Sequence, residues 1–261
     1  MIISSRSNER VKQVRALRDR RGRDATGAFF AEGERVLRAA LAADATIEQV
    51  VIAPERLSAG ESDLAAALER RGLPVLEVTP LVFDALTLRA QSQAIGAVVQ
   101  QRWQSLTDAG RRCWVALHDI QHPGNLGTII RTCDAVGGDG VILSGHSTDP
   151  YHPVAVRGSL GALFSQRIVR ATPDVLGAWA KAAGCTVIGT SPAGSRDYRE
   201  VDYRAPVVLL MGSERVGLSE EQIRTCDALV RVPMAGSVES LNLSVAAALV
   251  LYEIYRQQEG G

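Results

Sequence analysis

The chain has 261 residues, 46% of them apolar, and its 29 basic side chains balance 29 acidic ones. That length suits one large domain or two modest ones with a sizeable core, and no apolar run is long enough to cross a bilayer. Charges from Arg6 onward leave no apolar segment for a secretory signal, so the cytoplasm is the expected compartment.

In chain order, a basic helix over 8–21 precedes a strand at 28–31, a helix over 34–43 and a strand at 47–53. A helix over 62–71, a strand at 75–79, a short helix near 81–86 and a strand at 94–99 follow. Strands alternating with helices predict an α/β block with a mostly parallel sheet. The polar stretch to Arg112, with Gly110, breaks the pattern, so the expected domains are 1–100 and 113–261 with 101–112 as linker.

The second block repeats the alternation. Strands are predicted at 114–118, 140–143, 166–169, 186–190, 207–211 and 228–232, with helices over 126–136, 154–160, 173–183, 219–225 and 241–257. The helix after the first of these strands opens on a Pro123-Gly124 turn, near Asn125 or Leu126, and stops at Gly137-Gly138.

The net charge of zero hides an uneven distribution. Arg6, Arg10, Lys12, Arg15, Arg18, Arg20, Arg21 and Arg23 crowd the first 23 residues against only Glu9 and Asp19. Guanidinium groups fork onto phosphates and stack on bases, so this segment is a candidate RNA-binding surface, with Arg15, Arg18, Arg20 and Arg21 at its centre. Cys113, Cys133, Cys185 and Cys226 are scattered without a CxxC, and the four histidines lack metal-ligand spacing. Free thiols and no metal are expected.

Three segments read as ligand loops, because each follows an apolar strand of an α/β sheet. The first is Asn125-x-Gly127-x-x-x-Arg131. The second runs from Gly212 through Glu214 to Ser219. The third runs from Val232 through Met234 and Gly236 to Ser240, Leu241 and Asn242. Gly212 lets a ligand approach the backbone, and Ser240 and Asn242 bring neutral hydrogen-bonding groups to a helix start. No GxGxxG follows a strand and no GxxxxGK[ST] occurs, which argues against an ordinary nucleotide site.

These segments, NxGxxxR, GxExxGL and, with Val232 for isoleucine, IPMxGxxxSLN, resemble the three signature motifs of the SpoU/TrmH family in the SPOUT superfamily. Its members are S-adenosylmethionine-dependent RNA 2′-O-ribose methyltransferases. Ser4-x-x-x-Asn8-x-x-Val11-Lys12 and Gly27-x-Phe29-x-x-Glu32-Gly33 are similar to the substrate-binding domain fused to many rRNA members. The resemblance implies an α/β fold in two parts. One is a C-terminal SPOUT domain with a trefoil knot and a mostly parallel sheet; the other is a smaller N-terminal L30e-like α/β domain. It implies a homodimer whose face includes the last helix, through Leu243, Val245, Ala246, Leu249 and Val250.

It also implies roles. Arg131 would act on the target ribose and its phosphate, positioned by Asn125 and Glu214. Ser240 and Asn242 would hold the catalytic loop. Gly212, Val232 and Leu241 would contact S-adenosylmethionine, with Thr190 and Met234 as further lining. The expected substrate is RNA, most readily 23S rRNA; the same chemistry on tRNA and a silent ribosome-assembly factor are the alternatives. No metal is required. A guanidinium has no free acceptor, so Arg131 is expected to clamp the ribose electrostatically while a phosphate oxygen or water takes its proton.

Overall fold

The computed structural model describes residues 1–88, 93–204 and 206–259. They form two compact units, one of residues 1–102 and 149–165, the other of 103–148 and 166–261.

The first unit begins with α1 (Glu9–Ala16) and α2 (Arg20–Thr26) in place of the one continuous helix expected over 8–21. The break is a tight turn in which Leu17, Arg18 and Asp19 N–H groups each bond back three residues. Gly22 permits it, because a Cβ there would sit 2.1 Å from the Ala16 carbonyl oxygen. Then come β1 (Ala28–Glu32), α3 (Glu34–Ala42), β2 (Ile47–Ile52), a 3-10 turn at 54–56, α4 (Ala59–Arg70), β3 (Val75–Glu77), α5 (Pro80–Leu86) and β4 (Ile95–Gln100). The α4 helix opens on a capping box between Ser58 and Glu61.

The sheet order is β1-β4-β2-β3. β4 runs antiparallel to both β1 and β2, and only β2 and β3 are parallel. The expectation of a mostly parallel sheet in this block is therefore corrected to a mixed one. The last strand of the block inserts between the first two, which alternation along the sequence cannot reveal. Val11, Val14, Leu17, Phe30, Val51 and Phe83 belong to its core.

Arg23 is 1% exposed and does not face solvent with its basic neighbours. Its Nε donates to Asp149 Oδ2 at 2.7 Å, and its Nη1 donates to the Leu17 and Arg18 carbonyls at 2.9 and 2.8 Å. The guanidinium thus closes the C-terminal end of α1 and anchors a segment that comes from 126 residues further along the chain. That segment carries α7 (Pro153–Ser159) and α8 (Ala162–Ser165). Tyr151 and Phe164 pack their rings against Phe29. His152 caps α7, accepting the Val154 N–H on Nδ1; burial, then the nearby Arg23, push its imidazole below the ordinary value.

The second unit is a seven-stranded sheet of order β7-β6-β5-β10-β8-β11-β9, parallel at every pairing. Its elements are β5 (Cys113–His118), α6 (Pro123–Ala135), β6 (Gly140–Ser144), β7 (Arg167–Arg170), α9 (Pro173–Ala182), β8 (Thr186–Thr190), β9 (Arg196–Asp197), β10 (Val207–Met211), α10 (Glu220–Arg224), β11 (Ala228–Arg231) and α11 (Leu243–Glu259). β6 and β10 are buried at every residue, as strands covered on both faces must be. Trp114, Ile142, Val169, Leu176 and Val208 form part of one core cluster. Burial, then Asp139, push the Cys113 thiol up to about 12, and burial, then Asp227, push Cys226 up to about 11. These thiols stay protonated at neutral pH.

The strand order locates the ligand site. From β5 the chain steps outward through β6 to β7, then crosses to β8 on the far side of β10. Adjacent connections on opposite sides of β5 and β10 leave a crevice beyond their carboxyl ends, where open parallel sheets place their ligands.

Candidate functional site

A cavity of about 470 Å3 lies at that crevice, inside the second unit. Its size falls in the ~300–1,000 Å3 range of small-molecule sites. Four strand ends feed it: β5 through His122 and Asn125, β8 through Thr190 and Ser191, β10 through Met211 to Leu218, and β11 through Val230, Val232 and Met234. The approach to α11 supplies Ser240, Leu241 and Asn242.

Each element is positioned by local chemistry. α6 starts at Pro123, two or three residues before the expected start, since a proline fits the first helical position where its missing N–H costs nothing. His122 is therefore the N-cap, and Asn125 sits in the first turn. Gly212 has no room for a side chain: a Cβ would lie 2.1 Å from the Gly217 backbone. Ser213 and Gly217 exchange two backbone hydrogen bonds at 3.1 and 3.0 Å, and Gly217 takes φ +69°. This closed loop aims Glu214 back at α6. α10 is opened by a capping box between Ser219 and Gln222.

Glu214 joins the loops. Its Oε2 accepts the Gln121 and His122 backbone N–H groups at 2.9 and 3.3 Å, and its Oε1 accepts Asn125 Nδ2 at 2.6 Å. A carboxylate beside the positive end of α6 is also favoured by the helix dipole. Asn125 Oδ1 in turn accepts Asn242 Nδ2 at 3.1 Å. Asn242 Oδ1 accepts both the Ser244 N–H and its hydroxyl, at 2.9 and 2.7 Å, so this side chain caps α11. One polar chain, Glu214–Asn125–Asn242–Ser244, thus ties three segments, with 89 residues between Glu214 and Asn125 and 117 between Asn125 and Asn242.

Of the residues singled out in the sequence, Asn125, Thr190, Gly212, Glu214, Val232, Met234, Ser240, Leu241 and Asn242 all line this cavity. Arg131 does not. It lies two turns along α6 on an exposed face, and its guanidinium has no partner among the described residues. Gln121, His122 and Ser244 also take part, through main-chain groups or as caps, and no motif position marks them in the sequence. Among the described residues no group of three metal-ligating side chains occurs, and no helix is long and apolar enough to cross a membrane.

The four arginines of the N-terminal segment lie in the first unit. Arg15, Arg20 and Arg21 are exposed. Arg18 is half-buried and donates to the Ala85 carbonyl at 3.1 Å, and Arg20 pairs with Asp24 at 3.5 Å. Lys12, Arg15, Arg18 and His152 line one shallow depression.

Fold and cavity together define a two-unit α/β protein with a small-molecule site at the switch point of a parallel sheet. The chain belongs to the SpoU rRNA Methylase family, which matches residues 112–252. Residues 8–97 match the MRM3-like substrate binding domain. The chain is 43% identical over 145 residues to the 23S rRNA (uridine(2479)-2'-O)-methyltransferase of Streptomyces viridochromogenes, a match spanning 53% of this chain and half of that protein. It is 30% identical to the 23S rRNA (guanosine(2553)-2'-O)-methyltransferase RlmP of Bacillus subtilis, over 97% of this chain and 98% of the relative. The crystal structure of an AdoMet-bound rRNA methyltransferase from Sinorhizobium meliloti superposes with a TM-score of 0.89 at 40% identity, covering 98% of this chain and 97% of that one.

Proposed function

We propose that this protein transfers a methyl group from S-adenosylmethionine to a ribose 2′-hydroxyl of RNA, with 23S rRNA as substrate. The observation that carries this reading is the convergence of three motif loops on one cavity, tied by Glu214, Asn125 and Asn242. The cavity suits the donor in size and in its mix of apolar side chains and loop backbone. When bound, the donor supplies an electrophilic methyl group on a positively charged sulfur.

Thr190, Gly212, Val232, Met234 and Leu241 hold the donor, largely through backbone and apolar contact. Asn125, Glu214, Ser240 and Asn242 fix the loops and present polar groups to the ribose. Arg131, on the exposed side of α6, clamps the ribose phosphate. The loops around Gly212 and from Val232 to Leu241 are read as the trefoil knot that holds the donor. The enzyme works in the cytoplasm. Residues 1–100 serve as the substrate-binding domain and 113–261, apart from the 149–165 segment that packs within the first unit, as the catalytic one.

The test is incorporation of labelled methyl into deproteinised 23S rRNA and into tRNA, followed by digestion to nucleosides. A 2′-O-methylated nucleoside from 23S rRNA is expected. Label confined to tRNA moves the substrate, and no label in either sinks the reading.

RNA binding is assigned to the basic segment of the first unit. Changing Arg15, Arg18, Arg20 and Arg21 together to Gln is expected to weaken RNA binding. The slope of log K against log salt should flatten by up to about 0.7 for each phosphate the protein no longer neutralises. An unchanged slope places the footprint elsewhere.

The protein is further read as a homodimer. Val245, Leu249, Tyr252 and Tyr255 form an exposed apolar stripe along α11, and Thr128 of α6 lies in the same groove. Arg131, one turn beyond Thr128, borders that face. Leu249→Glu is expected to halve the mass seen by sedimentation equilibrium and to abolish the rise of the thermal midpoint with protein concentration that association gives the wild type. A dimer that survives this charge uses another face.

A further inference from the structure

His122 occupies the N-cap of α6 and lines the cavity beside Asn125 and Glu214. Its main chain is held from both sides: its N–H donates to Glu214 at 3.3 Å and its carbonyl accepts the Leu126 N–H at 3.1 Å. Its imidazole caps nothing, and has no partner among the described residues. A side chain fixed at its root and uncommitted at its tip is suited to contact a ligand.

The proposed reaction needs such a group, because a ribose hydroxyl must lose its proton as it attacks. The cavity wall offers few acceptors. The Glu214 carboxylate already accepts three hydrogen bonds. Arg215 lines the wall, but a guanidinium only donates. The serine hydroxyls are no more basic than the ribose itself. Among the wall's side chains only the His122 imidazole is a neutral nitrogen base with a lone pair to take that proton.

We infer that His122 is the proton acceptor for the ribose 2′-hydroxyl, an inference that rests on the cavity being a methyl-transfer site. The hydroxyl oxygen bonds to the methyl carbon. The carbon–sulfur bond breaks with its electron pair going to sulfur, which becomes a neutral thioether. The O–H proton passes to an imidazole nitrogen and from there to water. The charged groups that face it are Glu214, across from the N-cap, and Arg215 on the same loop. Asp119 and His118, at the end of β5, pair with each other at 3.3 Å.

The test uses His122→Asn, which keeps a favourable N-cap and so protects the fold, with His122→Ala as a second variant. Single-turnover methylation of an unmodified 23S rRNA transcript is followed from pH 5.5 to 9. Calorimetry reports S-adenosylmethionine binding, and proton–carbon NMR follows the imidazole titration. Both variants are expected to bind the donor within about threefold of wild type and to lose about 100-fold or more in rate at pH 7.5. The wild-type rate should inflect at the pH where the His122 resonance titrates, and that inflection should vanish in His122→Asn. A variant that keeps the inflection, or a rate within threefold of wild type, overturns the assignment. No donor binding by the wild-type protein overturns the site reading, and the assignment with it.

Discussion

Arg23→Ala is expected to lower the unfolding free energy of the first unit by about 3–5 kcal/mol, the cost of leaving one member of a buried ion pair without its partner. Both side chains are almost fully inside, at 1% and 4% exposure. Removing the guanidinium strands the Asp149 carboxylate and also orphans the Leu17 and Arg18 carbonyls at the end of α1. A domain's total stability is only about 5–15 kcal/mol, so the loss should be plain in urea titration followed by circular dichroism. The pair also joins distant parts of the chain, so α7 and α8 should lose protection from hydrogen exchange together with α1.

Arg23→Met combined with Asp149→Asn should recover much of the loss. The asparagine can still accept the Tyr151 N–H that Asp149 accepts at 2.9 Å, and no buried charge remains. An Arg23→Ala midpoint indistinguishable from wild type would mean that the aromatic packing of Phe29, Tyr151 and Phe164 holds this segment without the ion pair.

Arg23 shows where reading a sequence by composition stops. It stands in a run of arginines that points to RNA, and its neighbours Arg20 and Arg21 are exposed as such a run suggests. Nothing local distinguishes Arg23 from them. Its partner lies 126 residues away, and the Gly22 contact that turns α2 across the end of α1 emerges only in three dimensions. The same limit explains the first sheet. Strand positions are readable from apolar runs, but β4 inserts between β1 and β2 and runs antiparallel to both; neighbour and direction are long-range properties.

The second unit is more legible because its signals are local and repeated. Buried parallel strands are continuous apolar runs, such as Val207–Met211, which the Gly212 loop follows directly. What the sequence cannot supply is the wiring between loops. Glu214 and Asn125 are 89 residues apart, Asn125 and Asn242 are 117 apart, and their pairing depends on the order of strands in the sheet. His122 is hidden for a smaller reason. Its part as N-cap follows from the helix beginning at Pro123, whereas the apolar pattern of α6 begins further on.

That wiring makes Glu214→Ala the second substitution with a large expected effect. The carboxylate fixes the β10–α10 loop to the turn that starts α6, through two main-chain N–H groups and Asn125. Without it, Asn125 loses its 2.6 Å partner, and its bond to Asn242 no longer has a fixed base. Hydrogen bonds to a charged group are worth ~1.5–3 kcal/mol when buried; Glu214 is only half-buried, so the stability cost should stay near about 1–2 kcal/mol. The cost in turnover should be greater, because a misplacement of ~1 Å in a reacting geometry is worth about 100-fold in rate. Glu214→Gln, which keeps an oxygen for one donor but not the charge, should fall between. Donor affinity, measured by calorimetry, should weaken by less than the turnover, since the apolar walls at Val232, Met234 and Leu241 are untouched. A Glu214→Ala protein that turns over within threefold of wild type would show that the loops hold their positions without the carboxylate, and that the polar chain from Glu214 to Ser244 is structural rather than part of the machinery that aligns the ribose.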